Sequence, residues 1–539
     1  MPYLEPLGDK KLAKQVFIRD ATGLTRELSA KDVLMYNLLN MGLAWPMLYL
    51  FFGTSAYSGV NFPITVLIGF FPILIIAFLF YYFTTAFPRT GGDYVWVSRI
   101  VHPAIGFMES FGIVVFNLSF IGPVSGWLMT YGFGTMFTNL AITTGNPAYL
   151  SLAAVAASQN AVLIGSLVVL VTIVIAAAFG LRNTFRYQWA TFLVMAIGLA
   201  TFLMALATSS PTTFQSNFNQ LSGSNYDALI AAGQNAGIIT GFTLSGTLIG
   251  SFYSFLNYIG FQFSCYVGGE VKHSEKSQFI GIIGSTVVFA VIVFLMFAVP
   301  YSVIGGPFIN SASQLAAGGN AAYKLSSPPV SSFLVIFANP SPIVAVLVPL
   351  AIIALVLGSL ETIVLFSVRI IFAWSFDGVT PTKLAEVSEK RGSPNYALAV
   401  VAVIGFVYVI LSNFAANVLT FLAYTTSGIF LSIAIVGIAG ILFPYKHKDL
   451  FKMSPANVQR TIGGLPIIAI LGAITSVTGI FVALFAASPI FTGAAINPYY
   501  ILGLISVFIS GLIIYEISVH YHKSKGLDLS MRFKQIPPE

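Results

Sequence analysis

One acidic residue stands in the middle of a long apolar run, where a carboxyl group could bind a proton or a cation. Glu361 lies in the segment Gly358–Thr362, eight residues before Arg369. A charge at the centre of a membrane-spanning helix costs about 2.5–3.5 kcal/mol on insertion scales, so we expect Glu361 to be neutral or paired. It is a candidate for binding a coupling proton, or a sodium ion as the carboxylate. The alternative is a protonated glutamate that forms a purely structural hydrogen bond.

Two further acids lie within apolar runs but near their ends. Glu109 begins the third run and Glu516 lies near the end of the last. We expect both to be interfacial, with extended side chains or local partners. The five histidines lie in loops or at helix ends and form no cluster with the single Cys265, so the sequence predicts no metal site. A P-loop motif is also absent, which argues against an ATP-driven pump, and no catalytic constellation indicates an enzyme.

Two of the apolar runs are interrupted near their middle, where a break is costly unless it serves a site. The first is broken at Asn40–Pro46, because Pro46 has no backbone N–H to donate. The sixth is broken at Tyr253–Gln262, where Gly260 weakens the helix and Asn257 could pair with freed backbone groups. Half-helices that meet at the membrane midplane expose groups that can hold a zwitterion or a small ion. The alternative is a kink packed against a neighbouring helix.

The runs that carry these residues indicate an all-α polytopic membrane protein. The chain is 57% hydrophobic and 8% charged, whereas a soluble domain carries roughly 25% charged residues. A helix needs about 20 apolar residues to cross the hydrocarbon core. We predict twelve membrane-spanning helices, near residues 31–57, 63–87, 104–139, 159–181, 185–208, 238–268, 278–304, 341–374, 396–412, 417–443, 462–488 and 497–521.

The basic residues predict how these helices are oriented. Of the 25 Lys and Arg, only Lys324 falls on the side away from the N-terminus, and basic loops stay cytoplasmic. The sequence therefore predicts a multi-pass plasma-membrane protein with a cytoplasmic N-terminal tail (1–30) and a cytoplasmic C-terminal tail (522–539). The net charge of +7 serves contact with anionic membrane lipid rather than with nucleic acid.

The two broken helices are five helices apart, which suggests an internal repeat. Two five-helix repeats of inverted topology, at 31–208 and 238–443, would each begin with a broken helix. The helices at 462–521 would then be an addition of two outside the repeat. The residue identities of the two halves do not visibly match, so the repeat is a hypothesis from helix number and from the position of the breaks.

Three loop segments resemble the amino acid–polyamine–organocation transporters. The segment Ala86–Arg99, followed by Pro103, is similar to that family's loop after helix two. Gly260–Gln262 with Gly269–Lys276 resembles a second family stretch, and Ser367–Pro381 with Arg391–Pro394 a third. The resemblance covers roughly residues 31–450 and implies the leucine-transporter fold and alternating access.

The same resemblance implies where a substrate and an ion would bind. It places the substrate's amino group at carbonyls of broken helices one and six, and its carboxylate at N–H groups of helix one. Thr362 and Glu361 fall about where relatives have sodium-ligating hydroxyls. The candidate substrate-binding residues are Asn40, Met41, Gly42, Leu43, Ala44, Phe255, Asn257, Tyr258 and Gly260, and the candidate ion-coupling residues are Glu361 and Thr362. Weaker inward candidates are Tyr253, Ser119, Pro123, Trp127 and Tyr424–Ser427.

The chain departs from the family at three positions. Gly42 stands alone where the family has a Gly-x-Gly in helix one, and Gln262 replaces a glutamate. Met195 occupies the place of a lysine that some proton-coupled relatives carry in helix five.

These observations together predict a secondary active transporter of an amino acid or related small organic solute. We expect coupling to a proton or sodium gradient and no other cofactor. The first alternative is an ion-independent exchanger of amino acids or amines, and a solute channel is the second.

Overall fold

The computed structural model describes residues 26–388, 392–414, 418–492 and 498–534. The predicted N-terminal tail therefore lies almost wholly outside the described residues, as does the end of the C-terminal tail. The described part is built from helices, apart from one antiparallel hairpin of strands β1 (Thr461–Ile462) and β2 (Leu465–Pro466). The all-α prediction is confirmed.

The helices of the first half of the chain are α1 (Ala30–Met41), α2 (Pro46–Ala56), α3 (Phe62–Ala86), α4 (Asp93–Ile100), α5 (Pro103–Ser119), α6 (Ile121–Trp127), α7 (Thr135–Thr144), α8 (Ala148–Ala156), α9 (Gln159–Ala178), α10 (Leu181–Ala207), α11 (Pro211–Leu221), α12 (Tyr226–Asn235), α13 (Leu244–Gly250) and α14 (Phe252–Tyr258). Those of the second half are α15 (Ser274–Gln278), α16 (Ser285–Pro300), α17 (Gly306–Ala317), α18 (Ser331–Ala338), α19 (Pro342–Phe376), α20 (Asn395–Ser412), α21 (Val418–Lys446), α22 (Lys448–Met453), α23 (Ile467–Ala486), α24 (Pro489–Thr492) and α25 (Pro498–Ser524).

Eleven helical segments of the described chain are long and apolar enough to cross a membrane. Short π-helical turns join α5–α6 to α7, α15 to α16 and α16 to α17, so that Pro103–Thr144 and Ser274–Ala317 each form one long segment. The predicted crossing at 238–268 is not among the eleven, because its helices α13 and α14 are short and irregular turns follow them. The number of twelve crossings and the five-plus-five repeat remain predictions.

The segment formed by α1 and α2 lies deepest in the bundle, and nearly all of its residues are buried. α1 begins at a capping box, in which the Ser29 hydroxyl accepts the N–H of Asp32 and the Asp32 carboxylate accepts the N–H of Ser29. The indole Nε1–H of Trp189 also donates to Asp32, at 2.9 Å, which joins α1 to α10. α19 packs against α1, α5, α7, α9 and α10 and is the second central element.

One face of the bundle carries two buried ion pairs; we call it the basic face and define it by Arg99, Lys272, Arg369 and Lys446. Arg369 forms a bidentate pair with Glu270, with its Nε at 3.0 Å and an Nη at 2.8 Å from the two carboxylate oxygens. Arg99 contacts Asp377 at 2.7 Å. The side chains of both ion pairs are almost fully buried. Each charge is therefore stable only while its partner is present.

The backbone also joins the elements of the basic face. The carbonyl of Glu270 accepts the N–H groups of Glu27 and Leu28, both at 2.9 Å, and the N–H of Lys272 donates to the carbonyl of Leu28. The N–H of Gly91 donates to the carbonyl of Tyr266 at 3.0 Å. The start of α1, the α3–α4 loop and the segment after α14 are thus held together.

The opposite face is closed by apolar packing. There, α11, α12, α17 and α18 bury an aromatic cluster formed by Phe214, Phe218, Tyr226, Phe308 and Phe337. Gly305, between α16 and α17, adopts φ 91°. Lys324, the one basic residue predicted for this side, lies between α17 and α18.

The bidentate pair leads to a stability prediction. Arg369→Met removes the partner of Glu270 and should destabilise the protein by about 3–5 kcal/mol, because a buried carboxylate is left uncompensated. Thermal unfolding of the purified protein in detergent measures the change. Arg186→Met, at an exposed arginine of α10, is the control and should leave the unfolding midpoint nearly unchanged. Equal midpoints for the two variants would contradict a structural role for the pair.

Candidate functional site

The first predicted break is present between α1 and α2. Gly42 ends α1 with φ 76°, a conformation that favours glycine, and Pro46 begins α2. The N–H groups of Leu43 and Ala44, which lie in the four-residue turn between the helices, form no backbone hydrogen bond. These two donors stand beside the N-terminal end of α2, where a helix favours a negative charge.

The second predicted break follows α14. Gly260 has φ 114°, and its N–H donates to the side-chain oxygen of Gln262 at 3.2 Å. Asn257, the candidate for pairing with freed backbone groups, does not do so, because neither amide atom of its buried side chain has a hydrogen-bond partner. Gln262 takes that role because it lies within the turn itself, two residues from the freed N–H.

The two breaks meet at Asn40. A Cβ atom placed on Gly260 would collide with the side-chain oxygen of Asn40, so that the absence of a side chain at Gly260 allows the contact. The Asn40 Nδ2 donates to the Thr362 hydroxyl of α19 at 2.5 Å, and that hydroxyl donates to the carbonyl of Ser359 at 2.6 Å. The Tyr36 hydroxyl donates to the carbonyl of Thr362 at 3.2 Å. Asn40 therefore connects both broken helices to α19.

A small cavity of about 50 Å³ lies beside this junction. Four membrane segments line it: α1–α2, α5–α6, the end of α14 and α19. The lining residues are Asn40, Met41, Trp45, Tyr49, Asn117, Phe120, Val124, Leu256, Ile259, Ser359, Leu360 and Ile363. Each is at most 9% exposed, so the cavity is almost enclosed. None of the twelve is charged, and most of the wall is aromatic or aliphatic.

The cavity has different closures toward the two faces. Toward the opposite face, Trp45 packs edge-on against Trp127 with ring centres 5.5 Å apart, and Phe52 lies 5.4 Å from Trp127. Tyr49 packs against Tyr253 at 5.8 Å. Toward the basic face, the chain is held by the ion pairs and backbone hydrogen bonds described above. A solute in the cavity would therefore be separated from both sides.

Glu361 lies behind the cavity wall rather than in it. Its Oε2 accepts a hydrogen bond from the Gln188 side-chain amide of α10 at 2.5 Å. The other carboxylate oxygen, Oε1, and the Gln188 amide oxygen are both buried without a hydrogen-bond partner. Two unpaired acceptors therefore lie on side chains that are in direct contact, and a proton or a cation would satisfy them.

The structure places the predicted site residues at several different positions around the cavity and the two breaks. Asn40 and Met41 line the cavity, whereas Gly42, Leu43 and Ala44 form the turn beside it. Gly260 contacts Asn40. Phe255 packs against Phe430 of α21, and Tyr258 packs against Phe289 of α16 with its hydroxyl unpaired. Thr362 is fully buried at the junction with Asn40.

The sequence analysis did not identify most of the cavity-lining residues of α5–α6 and α19. Asn117, Phe120 and Val124 follow one another at spacings of three and four, which places them on one helical face. The sequence candidates Ser119, Pro123 and Trp127 are spaced four apart and lie on a neighbouring face. Helical periodicity identifies such faces but does not say which one meets the cavity. A polar Asn117 within an otherwise apolar stripe was the available signal.

The two remaining acids behave differently from each other. Glu516 is exposed on α25. The prediction of an interfacial position with local partners is wrong for Glu109, which is fully buried with no hydrogen-bond partner for either carboxylate oxygen. The reason is that α4, α21 and α25 all pack on α5 and cover this end of the helix. Among the residues that the structure describes, no cluster of three or more His, Cys, Asp or Glu could hold a metal ion.

Comparison with known proteins gives one match that covers most of the chain. The sequence model of the amino acid permease family matches residues 35–526. No individual curated protein matches the chain. The match includes both broken segments, every residue that lines the cavity, and Glu361.

The contact between the two breaks leads to a prediction. Gly260→Ala should lower the free energy of unfolding by about 1–2 kcal/mol, because alanine is strained in the left-handed backbone conformation. The collision of its Cβ with Asn40 should lower it further. Gly223→Ala is a matched control, because Gly223 also has a positive φ (68°) but nothing lies within 4 Å of its added Cβ. Thermal unfolding should show the larger loss for Gly260→Ala, and substrate-induced stabilisation should vanish in that variant alone. Equal losses in both would show that the Asn40 contact is unimportant.

Proposed function

The chain belongs to the amino acid permease family, and we propose that it is a secondary active transporter of an amino acid or related small solute that works by alternating access. The family is one of membrane transporters and not of enzymes. The observation that carries the proposal is the enclosed cavity at the junction of two broken helices. We place the transporter in the plasma membrane with the basic face and both termini on the cytoplasmic side, because basic loops are retained there.

The backbone at the first break suits a zwitterion. The free N–H groups of Leu43 and Ala44 stand at the N-terminal end of α2 and would favour a carboxylate. The carbonyls of Asn40 and Met41, at the C-terminal end of α1, accept no backbone hydrogen bond and would favour an ammonium group. The two charges of an amino acid could thus be held by peptide groups, without charged side chains.

The residues that line the cavity favour a solute with a neutral, apolar side chain. A second ammonium or carboxylate group on the solute would be desolvated in the cavity, and none of the lining residues could compensate it. The aromatic and aliphatic walls formed by Phe120, Val124, Leu360 and Ile363 would instead gain from contact with an apolar side chain. Polyamines and dibasic amino acids are therefore disfavoured.

Glu361 is the proposed coupling residue. A buried carboxylate that has one oxygen unpaired, beside an unpaired amide oxygen of Gln188, would be strongly stabilised by a proton or a sodium ion. Thr362, the next residue, bonds to Asn40 and so connects the occupied or empty state of Glu361 to the junction of the two breaks. Ion binding could then shift the equilibrium between outward-open and inward-open states.

An ion-independent exchanger is the second candidate. The observation that favours it is the position of Glu361, which faces Gln188 rather than the cavity. A protonated Glu361 that only holds α19 against α10 would leave transport without an ion requirement. A channel is less well supported, because the cavity is closed toward both faces.

Glu361→Gln separates symport from exchange. The variant keeps the size of the side chain but cannot release a proton or act as a carboxylate, so gradient-driven accumulation should fall to simple equilibration while substrate exchange continues. Uptake into proteoliposomes, with a proton or a sodium gradient imposed in separate experiments, measures both activities. Glu516→Gln, at an exposed acid, is the matched control. Normal accumulation by Glu361→Gln would exclude this residue as the coupling site and favour the exchanger.

A second prediction concerns the solute. Amino acids with a neutral, apolar side chain should bind more tightly than lysine, glutamate or a polyamine. Phe120→Ala should weaken that binding by about 1–2 kcal/mol, or roughly 5–30-fold in Kd. Equilibrium binding of radiolabelled amino acids to the purified protein measures this. Phe414→Ala, at a strongly exposed phenylalanine after α20, should leave the affinity unchanged. Tighter binding of a cationic solute would contradict the assignment from the cavity wall.

A further inference from the structure

A second fully buried carboxyl group lies far along the chain from Glu361 and has no role in the function proposed above. Glu109 of α5 is 0% exposed, and neither of its carboxylate oxygens has a hydrogen-bond partner among the described residues. Its backbone carbonyl is occupied, because it accepts the Ser432 hydroxyl of α21 at 3.2 Å. An ionised carboxylate without any donor is among the most costly groups to bury. The Glu109 side chain is therefore suited to hold a proton.

Asp93 lies on α4, which packs on α5, and its charge acts on Glu109; Asp93 is also 0% exposed. One of its oxygens accepts the N–H of Tyr94 at 2.8 Å, and the other accepts the Tyr266 hydroxyl at 2.5 Å. Asp93 is thus supplied with two donors, whereas Glu109 has none. Two buried carboxylates that act on each other repel strongly when both are ionised, so Asp93 and Glu109 together favour the retention of one proton.

Few groups around Asp93 and Glu109 could neutralise a carboxylate in place of this proton. Tyr266 and Cys265, from the segment after α14, are the other titratable groups that act with Asp93 there. The two arginines that define the basic face are paired with other acids, Arg99 with Asp377 and Arg369 with Glu270. Other helices packed on α5 bring Trp374 of α19, Ser432 of α21 and Tyr515 of α25 into contact with it.

We propose that Asp93 and Glu109 form a proton-binding site that retains a proton while the basic face is closed. The site is separate from Glu361, whose contact is Gln188 of α10. Burial raises the pKa of Asp93 to about 7, against the lowering effect of the Tyr266 and Tyr94 hydrogen bonds. Asp93 could therefore gain or lose a proton near neutral pH.

The position of the pair ties its proton to the closure of the basic face. The Tyr266 hydroxyl bonds to Asp93, and the Tyr266 carbonyl accepts the N–H of Gly91. Both bonds join the α3–α4 loop and α4 to the segment that follows the second break. Opening of the cavity toward the basic face would have to part these elements, admit water to the pair and allow the proton to leave on that side.

Infrared spectroscopy tests the proton directly, because protonated and ionised carboxyl groups absorb differently. In a Glu361→Gln background, which removes the buried acid of α19, Glu109→Gln should lose intensity in the protonated-carboxyl band near pH 7. Glu516→Gln in the same background should retain it. An unchanged band in the Glu109→Gln protein would overturn the proposal, whether or not the protein transports anything.

Stability against pH gives an independent readout. A carboxyl group whose pKa is raised on folding binds more protons in the folded than in the unfolded state, so stability falls as the pH rises from about 4 toward the folded pKa. The unfolding midpoint of the parent protein should fall over this range, and the fall should be smaller in Asp93→Asn and in Glu109→Gln. The same pH dependence in parent and variants would contradict the proposal.

Exchange measured in proteoliposomes tests the link to the basic face, and this part rests on the proposed transport function. In the Glu361→Gln background, the exchange rate should still depend on the pH at the basic face. Adding Glu109→Gln or Asp93→Asn should flatten that dependence, whereas Glu516→Gln should not. A profile that neither variant changes would show that the pair does not govern this face, even if exchange itself proceeds normally.

Discussion

The contact between Asn40 and Gly260 is the constraint on which the rest of the site depends. Two helices end near the middle of the bundle, and each leaves peptide groups that a continuous helix would pair. Such groups are tolerated at membrane depth where protein surrounds them or where they line a cavity. The missing side chain at Gly260 lets Asn40 approach, and Asn40 in turn bonds to Thr362. The breaks are therefore fixed relative to each other and to α19, which also carries Glu361.

Different interactions close the two ends of the cavity. The basic face is held by paired charges and by backbone hydrogen bonds, which are directional and depend on protonation and hydration. The opposite face is held by aromatic packing, which depends on apolar area. A transporter must open its two ends alternately, and two closures of different chemistry can respond to different conditions. The buried carboxyl pair of Asp93 and Glu109 lies on the basic side, where its protonation would affect that end.

Much of the fold and part of the site could be predicted from sequence because both depend on local properties. Long apolar runs specify helices, and Pro46 and Gly260 disrupt a helix whatever surrounds them. Both breaks were therefore predictable, as was the unusual character of Glu361. Asn257 was interpreted incorrectly because a polar residue near a break has several possible partners. Glu109 was misjudged because its depth along a helix says nothing about which other helices cover that helix end.

The sequence by itself determined the membrane class, the positions of the helix interruptions and the family, because hydropathy, backbone chemistry and motif order are properties of contiguous residues. Only the tertiary structure decided which faces of α5–α6 and α19 form the cavity wall. It also decided that Glu361 faces Gln188 and that Asp93 and Glu109 share one buried environment. The physical reason is that these features depend on helix rotation and on packing between residues far apart in the chain, and helical periodicity alone leaves that rotation open.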